Sequence, residues 1–99
     1  MTPIIPGHKY SLANMDGSPE QVLTFIRKEP RDGVFATVED GTTNEEVLKV
    51  LIDRIQALNA KAACRENATC LTHLETALLW LEKRTRDRMA RGVEGTPKP

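Results

Sequence analysis

The sequence predicts an α+β fold: a small N-terminal antiparallel β-sheet followed by a C-terminal α-helical hairpin, assembled as an oligomer. Three observations lead there. β-Branched and aromatic residues gather before residue 40, between turn-forming clusters. From Thr43 onward the apolar spacing becomes that of helices. A chain of 99 residues builds only a modestly stable core by itself, so association of copies is the expected remedy. The chain reads as one domain over 1–99, with a β part over 1–40, a helical hairpin over 43–92 and a tail over 93–99.

A short strand is expected at Lys9 to Leu12, followed by the loop Asn14-Met15-Asp16-Gly17-Ser18-Pro19, whose residues favour turns. Gln21 to Lys28 then mixes β-branched and aromatic residues, and Val34 to Val38 does the same after Pro30-Arg31-Asp32-Gly33. The pair reads as a hairpin with its turn at those four residues. Three short strands cannot bury both faces, so a helix or another subunit has to cover them.

Thr43 with Glu46 three residues on has the spacing of a capping box, in which each side chain satisfies a backbone donor of the first turn. Val47, Val50, Leu51, Ile55 and Leu58 recur at helical spacing and give one apolar stripe through about residue 60. Lys61 to Cys64 forms the bend. A longer helix follows from about Arg65 to Arg91, with the apolar row Leu74, Leu78, Leu81 and Trp80. Gly92 suits the left-handed residue that ends a helix, and Val93 the hydrophobic contact that goes with it. Thr96 to Pro99 reads as a loose tail.

Composition narrows the function classes. The 14 basic and 14 acidic side chains cancel, so no global field draws the chain onto nucleic acid or an anionic membrane. There is no apolar run of spanning length, and Pro3, Pro6 and Gly7 interrupt any signal-peptide core, so the expectation is a protein that stays in the cytosol where it is made. Cys64 and Cys70 lack the spacing of a redox pair or a zinc site and read as reduced thiols packed as small hydrophobes. His8 and His73 are isolated, so no metal site is expected. Glu45, Glu46 and Asp53 pair with no His, and neither a nucleophile beside a base nor a Gly-rich phosphate loop is legible. No catalytic residue and no cofactor is therefore assigned.

Lys83, Arg84, Arg86, Arg88 and Arg91 crowd the end of the second helix around Asp87. Such cations complement the helix dipole and can be no more than a solvated end. They are, however, Arg almost throughout, and Arg clamps phosphate oxygens in a planar, bidentate geometry. Thr85 adds a hydroxyl. At the other end, Arg65, Glu66 and Asn67 fill a first turn whose free N–H groups suit an anion; Asn67 either caps the turn locally or reads a base edge or ribose hydroxyl. Trp80 reads as core or a subunit contact rather than as a platform for a ligand.

Asp40-Gly-Thr-Thr-Asn-Glu-Glu-Val47, Leu51-Ile-Asp-Arg54, Leu58-Asn59, Cys64-Arg-Glu-Asn67, Leu74-Glu75, Ala77-Leu78, Trp80-Leu81, Arg84-Thr85, Asp87-Arg88 and Arg91-Gly-Val-Glu-Gly-Thr96 together resemble the Thoeris anti-defence protein 1 family of phage proteins. The resemblance is close over about the last 60 residues and looser over the β part. It implies a sponge rather than an enzyme. Family members sequester the cyclic ADP-ribose isomers, glycocyclic ADP-ribose among them, that bacterial Thoeris TIR proteins make on infection, so the downstream effector stays inactive. Some also hold the cyclic di- or trinucleotide signals of CBASS in separate pockets. The resemblance further implies the host bacterial cytoplasm and a homo-oligomer up to a hexamer, with neither membrane nor nucleic acid as a partner.

The family's ligand-contacting Asn corresponds to Asn67, and its Arg-Thr pair to Arg84 and Thr85. Arg84, helped by Arg88 or Arg65, would neutralise the pyrophosphate, while Asn67 and Thr85 would hydrogen-bond base or ribose groups. The chain departs from the family at Ala57, where relatives carry a ring that stacks on the ligand base. Stacking here is either missing or supplied elsewhere, with Phe25, Phe35, Tyr10 and His73 as the candidates.

Seventeen residues separate Asn67 from Arg84, about 26 Å of straight helix, too far for one compact ligand. The expectation is a pocket shared between subunits: the bend with Asn67 and position 57 from one, Arg84 and Thr85 from an antiparallel neighbour. Two other readings stay open. A small nucleic-acid-binding or transcription-modulating protein would use the Arg-rich end and show steep salt dependence, and an enzyme would degrade the signal.

Overall fold

A computed structural model describes residues 1–99. The chain divides into two compact units, Met1–Thr43 and Asn44–Pro99, close to the expected β part and helical hairpin. The first holds five strands, β1 (Thr2–Ile5), β2 (Lys9–Leu12), β3 (Gln21–Thr24), β4 (Arg27–Arg31) and β5 (Val34–Glu39), and the second two helices, α1 (Asn44–Lys61) and α2 (Arg65–Ala90).

The strands form two antiparallel sheets, β1-β2-β3 and β4-β5. β1 is additional to the sequence expectation; its Pro3 is tolerated because β1 is an edge strand. Pro6 and Gly7 (φ 80°) turn the chain into β2, with His8 N–H donating to the Ile5 carbonyl at 2.9 Å. The Asn14–Pro19 loop is tied by the Asn14 amide, which donates to Ser18 Oγ at 3.1 Å and to the Pro19 carbonyl.

The expected strand Gln21–Lys28 is two strands. β3 pairs with β2, and β4 pairs with β5. Between them Phe25 makes a parallel bridge with Thr42: Thr42 N–H donates to the Thr24 carbonyl and Ile26 N–H to the Thr42 carbonyl, each at 2.9 Å. Gly41 lets the backbones come this close, since a Cβ there would lie 2.5 Å from the Thr24 oxygen. Phe25 also meets Tyr10 edge-to-face at 6.0 Å, a favourable ring geometry. The β4–β5 hairpin turns on Asp32 (φ 52°) and Gly33 (φ 80°). Arg31 pairs with Val34, so the loop is two residues with both φ positive, the form that matches strand twist. Pro30 thus lies inside β4 and not in the turn.

α1 begins directly after Thr43, as the capping-box spacing predicts. In α1 the half-buried positions are Glu45, Val47, Leu48, Ile52, Ile55 and Asn59. In α2 they include Asn67, Leu71, Leu74, Leu78, Leu81 and Thr85, with Arg88 fully buried. Spacings alternating between three and four are the seam of a helical hairpin, and α1 packs on α2 along it. The stripe Val47, Val50, Leu51, Ile55, Leu58 is therefore only partly the seam: Val50, Leu51 and Leu58 are exposed. No hydrophobic side chain of either unit is fully buried. No helix is long and apolar enough to cross a membrane.

Candidate functional site

α2 presents both candidate ends. Cys64 caps its start in extended conformation, and the Cys64 thiol accepts from Asn67 N–H at 3.4 Å. Cys64 N–H donates in turn to the Asn59 side chain of α1 at 3.1 Å, which fixes the bend. Both cysteines are free and exposed, contrary to the expected packing. Asn67 is half-buried on the seam. Its hydrogen bond in the cap runs through the backbone, which leaves the side-chain amide's donor and acceptor for a ligand. Arg65 is exposed beside it.

Arg84 is exposed and Thr85 half-buried, seventeen positions further along the same helix. The structure therefore does not bring Asn67 and Arg84 together within one chain. Ala57 is exposed on α1, in an open groove with Glu46, Lys49, Val50, Asp53, Arg54, Leu58 and Lys61. It offers no ring.

Arg88 differs from the expectation of a helper on the ligand's pyrophosphate. It is 5% exposed. Its Nη1 donates to the Lys98 carbonyl at 2.6 Å, and its Nη2 to the Val93 and Thr96 carbonyls at 2.9 and 2.8 Å. Its Nε lies 3.5 Å from the Glu94 carboxylate, too long for a hydrogen bond and close enough for attraction. The turn that makes these carbonyls converge starts at Gly92 (φ 70°), where Gly92 N–H donates to Met89 and Val93 N–H to Arg88. This is the paired closure of a Schellman motif. The expected loose tail is thus tied down, and Arg91 adds a bond to the Pro99 carbonyl at 2.8 Å.

The other cations divide by partner. Lys83 is engaged by Asp87 at 2.5 Å. That hydrogen bond, then the charges of Lys83, Arg86 and Arg91, holds the Asp87 carboxyl below its ordinary value. An exposed i,i+4 pair of this kind contributes little stability, but it occupies the lysine. Arg84 lines an open groove of about 230 Å³ with Trp80, Lys83, Asp87 and Arg91. Arg86 lines a second, of about 270 Å³, with Thr76, Leu79, Trp80 and Lys83.

Trp80 is 65% exposed, which excludes the core reading. It lies one helical turn from Arg84.

The profile of the Acb2/Tad1 hairpin domain matches residues 22–86. A relative, Thoeris anti-defense 1 of Bacillus phage SBSphiJ7, is 50% identical over 58 residues, which are 58% of this chain and 41% of that protein. The chain therefore matches less than half of that relative's length.

Proposed function

The chain belongs to the Acb2/Tad1 hairpin-domain family, and from that premise we propose that it blocks Thoeris immunity by binding and sequestering a cyclic ADP-ribose signal, glycocyclic ADP-ribose, without degrading it. The relative's name supports the anti-Thoeris part. The observation that carries the ligand assignment is the pair of α2 ends: an amide with donor and acceptor to spare at Asn67, and an exposed Arg84 followed by the half-buried Thr85. An Arg fork suits a pyrophosphate, and an amide and a hydroxyl suit a base edge or ribose.

The two ends are about 26 Å apart, so the pocket is composite. One copy contributes the bend with Asn67 and Arg65, and an antiparallel neighbour contributes Arg84 and Thr85. The apolar side chains left exposed on α1 supply the contact that brings copies together, up to a hexamer. Sequestration needs slow release more than fast capture, and a subunit boundary that closes over the ligand provides it. The site of action is the host bacterial cytoplasm, where the signal is made.

The test is to mix protein with glycocyclic ADP-ribose, heat-denature the protein and assay the supernatant. Intact ligand is expected, and a hydrolysed product would overturn the reading. Calorimetry of Asn67→Ala and Arg84→Ala should show at least tenfold weaker binding for each, the loss expected when a charged or paired hydrogen bond is removed. Wild-type affinity in both variants would remove the site. Cyclic di- and trinucleotides are arms of the same titration.

A further inference from the structure

The helical unit carries one aromatic ring of the Phe, Tyr and Trp class, Trp80, and the indole stands out into solvent. It is the wall common to two open grooves on α2, with Arg84 in one and Arg86 in the other. Trp80, Lys83, Arg84, Asp87 and Arg91 follow each other at i, i+3, i+4, i+7 and i+11, one stripe of the helix outside the seam. Partnering separates the cations. Lys83 is held by Asp87, Arg91 by the Pro99 carbonyl and Arg88 by the tail. Arg84 and Arg86, each lining one of the two grooves at the indole, are the two of this cluster whose guanidinium groups make no hydrogen bond or ion pair within the chain.

An exposed flat π-face next to an unpaired guanidinium matches one chemistry closely: a base joined through a sugar to a phosphate. The base stacks on the ring, and the phosphate meets the fork one helical turn away. A purely apolar occupant would leave two guanidinium groups in the contact unpaired, which is costly once water is excluded.

We propose that Trp80 is a base-stacking and specificity-determining residue, holding the nucleobase of the ligand whose pyrophosphate Arg84 binds. The proposal rests on the sequestration reading above and adds the surface that Ala57 does not provide. It also predicts preference among ligands: those whose base and phosphate are separated by about one helical turn gain both contacts, and a bare pyrophosphate gains one.

The chain has a single tryptophan, so its emission reports this position directly. Wild-type protein is titrated with glycocyclic ADP-ribose while emission and heat are followed in parallel. Quenching that saturates together with the heat signal is expected, and inorganic pyrophosphate should bind without quenching. Trp80→Leu should weaken glycocyclic ADP-ribose binding by about 5- to 150-fold, the range of base–aromatic stacking, with pyrophosphate affinity unchanged; Trp80→Phe should restore most of it. Heat without a change in emission, or wild-type affinity in Trp80→Leu, overturns the role of Trp80 and leaves sequestration standing. No heat with any cyclic ADP-ribose isomer overturns both. If Trp80→Leu elutes from a sizing column at a smaller mass than the wild type, the ring serves contact between copies; should wild-type emission then be unmoved by ligand, the proposal fails.

Discussion

Arg88 carries its charge out of water on a helix whose neighbouring cations stay solvated. A guanidinium in that position needs acceptors, and the carbonyls of Val93, Thr96 and Lys98 supply them. Arg88→Ala removes charge-assisted bonds and is expected to destabilise the helical unit by about 1.5–3 kcal/mol, read by chemical denaturation. Amide exchange at Val93 and Thr96 should accelerate in the same variant, and unchanged exchange there would contradict the clamp. Arg88→Lys should recover little, because an ammonium cannot present a planar fork to three carbonyls. Read from sequence, Arg88 is one of five cations near a helix end and looks like the rest. What singles it out is the return of the tail, a contact that local spacing does not encode. Asn67, Arg84 and Thr85 enter the proposed site through the family pattern. Trp80 enters through its exposure, which a position within an apolar run does not encode.

Elements were legible to different degrees for different reasons. The two helices and their bend could be read closely, since the Thr43–Glu46 spacing, the seam periodicity and Gly92 are all local signals. The β unit was harder. Gln21 to Lys28 is continuous in composition, and what divides it into β3 and β4 is Thr42, arriving from seventeen residues beyond Phe25. Gly41→Ala tests that crossing. A Cβ at 2.5–2.8 Å from three backbone atoms cannot be relieved by a rotamer change, so a loss of about 1–3 kcal/mol is expected, the usual cost of overpacking. Thermal unfolding followed on β-unit amide signals would measure it, and a wild-type midpoint would show that the approach is looser. The stripe read on α1 mixed two faces. Leu48, Ile52 and Ile55 pack on α2, whereas Val50, Leu51 and Leu58 face outward; a helix apolar on two sides gives overlapping periodicities that a single stripe cannot separate.

At the scale of the whole molecule, the absence of any fully buried apolar side chain is the dominant fact. Val50 is 62% exposed, and neighbours of its kind on α1 remain wet unless another surface covers them. Sedimentation equilibrium should therefore give a mass above the 11.0 kDa of one chain. Val50→Glu should lower that mass while leaving helical content intact, and a monomeric wild type would remove the basis for a shared pocket. The clamp at the end of α2 has a different consequence, for sequence drift. Its acceptors are main-chain oxygens, which every amino acid carries alike. Substitutions at Pro97 or Lys98 can accumulate as long as the tail keeps its path, whereas the path itself is held by Arg88 with the Glu94 carboxylate beside it, by Arg91 and by the left-handed turn at Gly92. Divergent relatives that keep those features can keep the clamp around an otherwise unrelated tail.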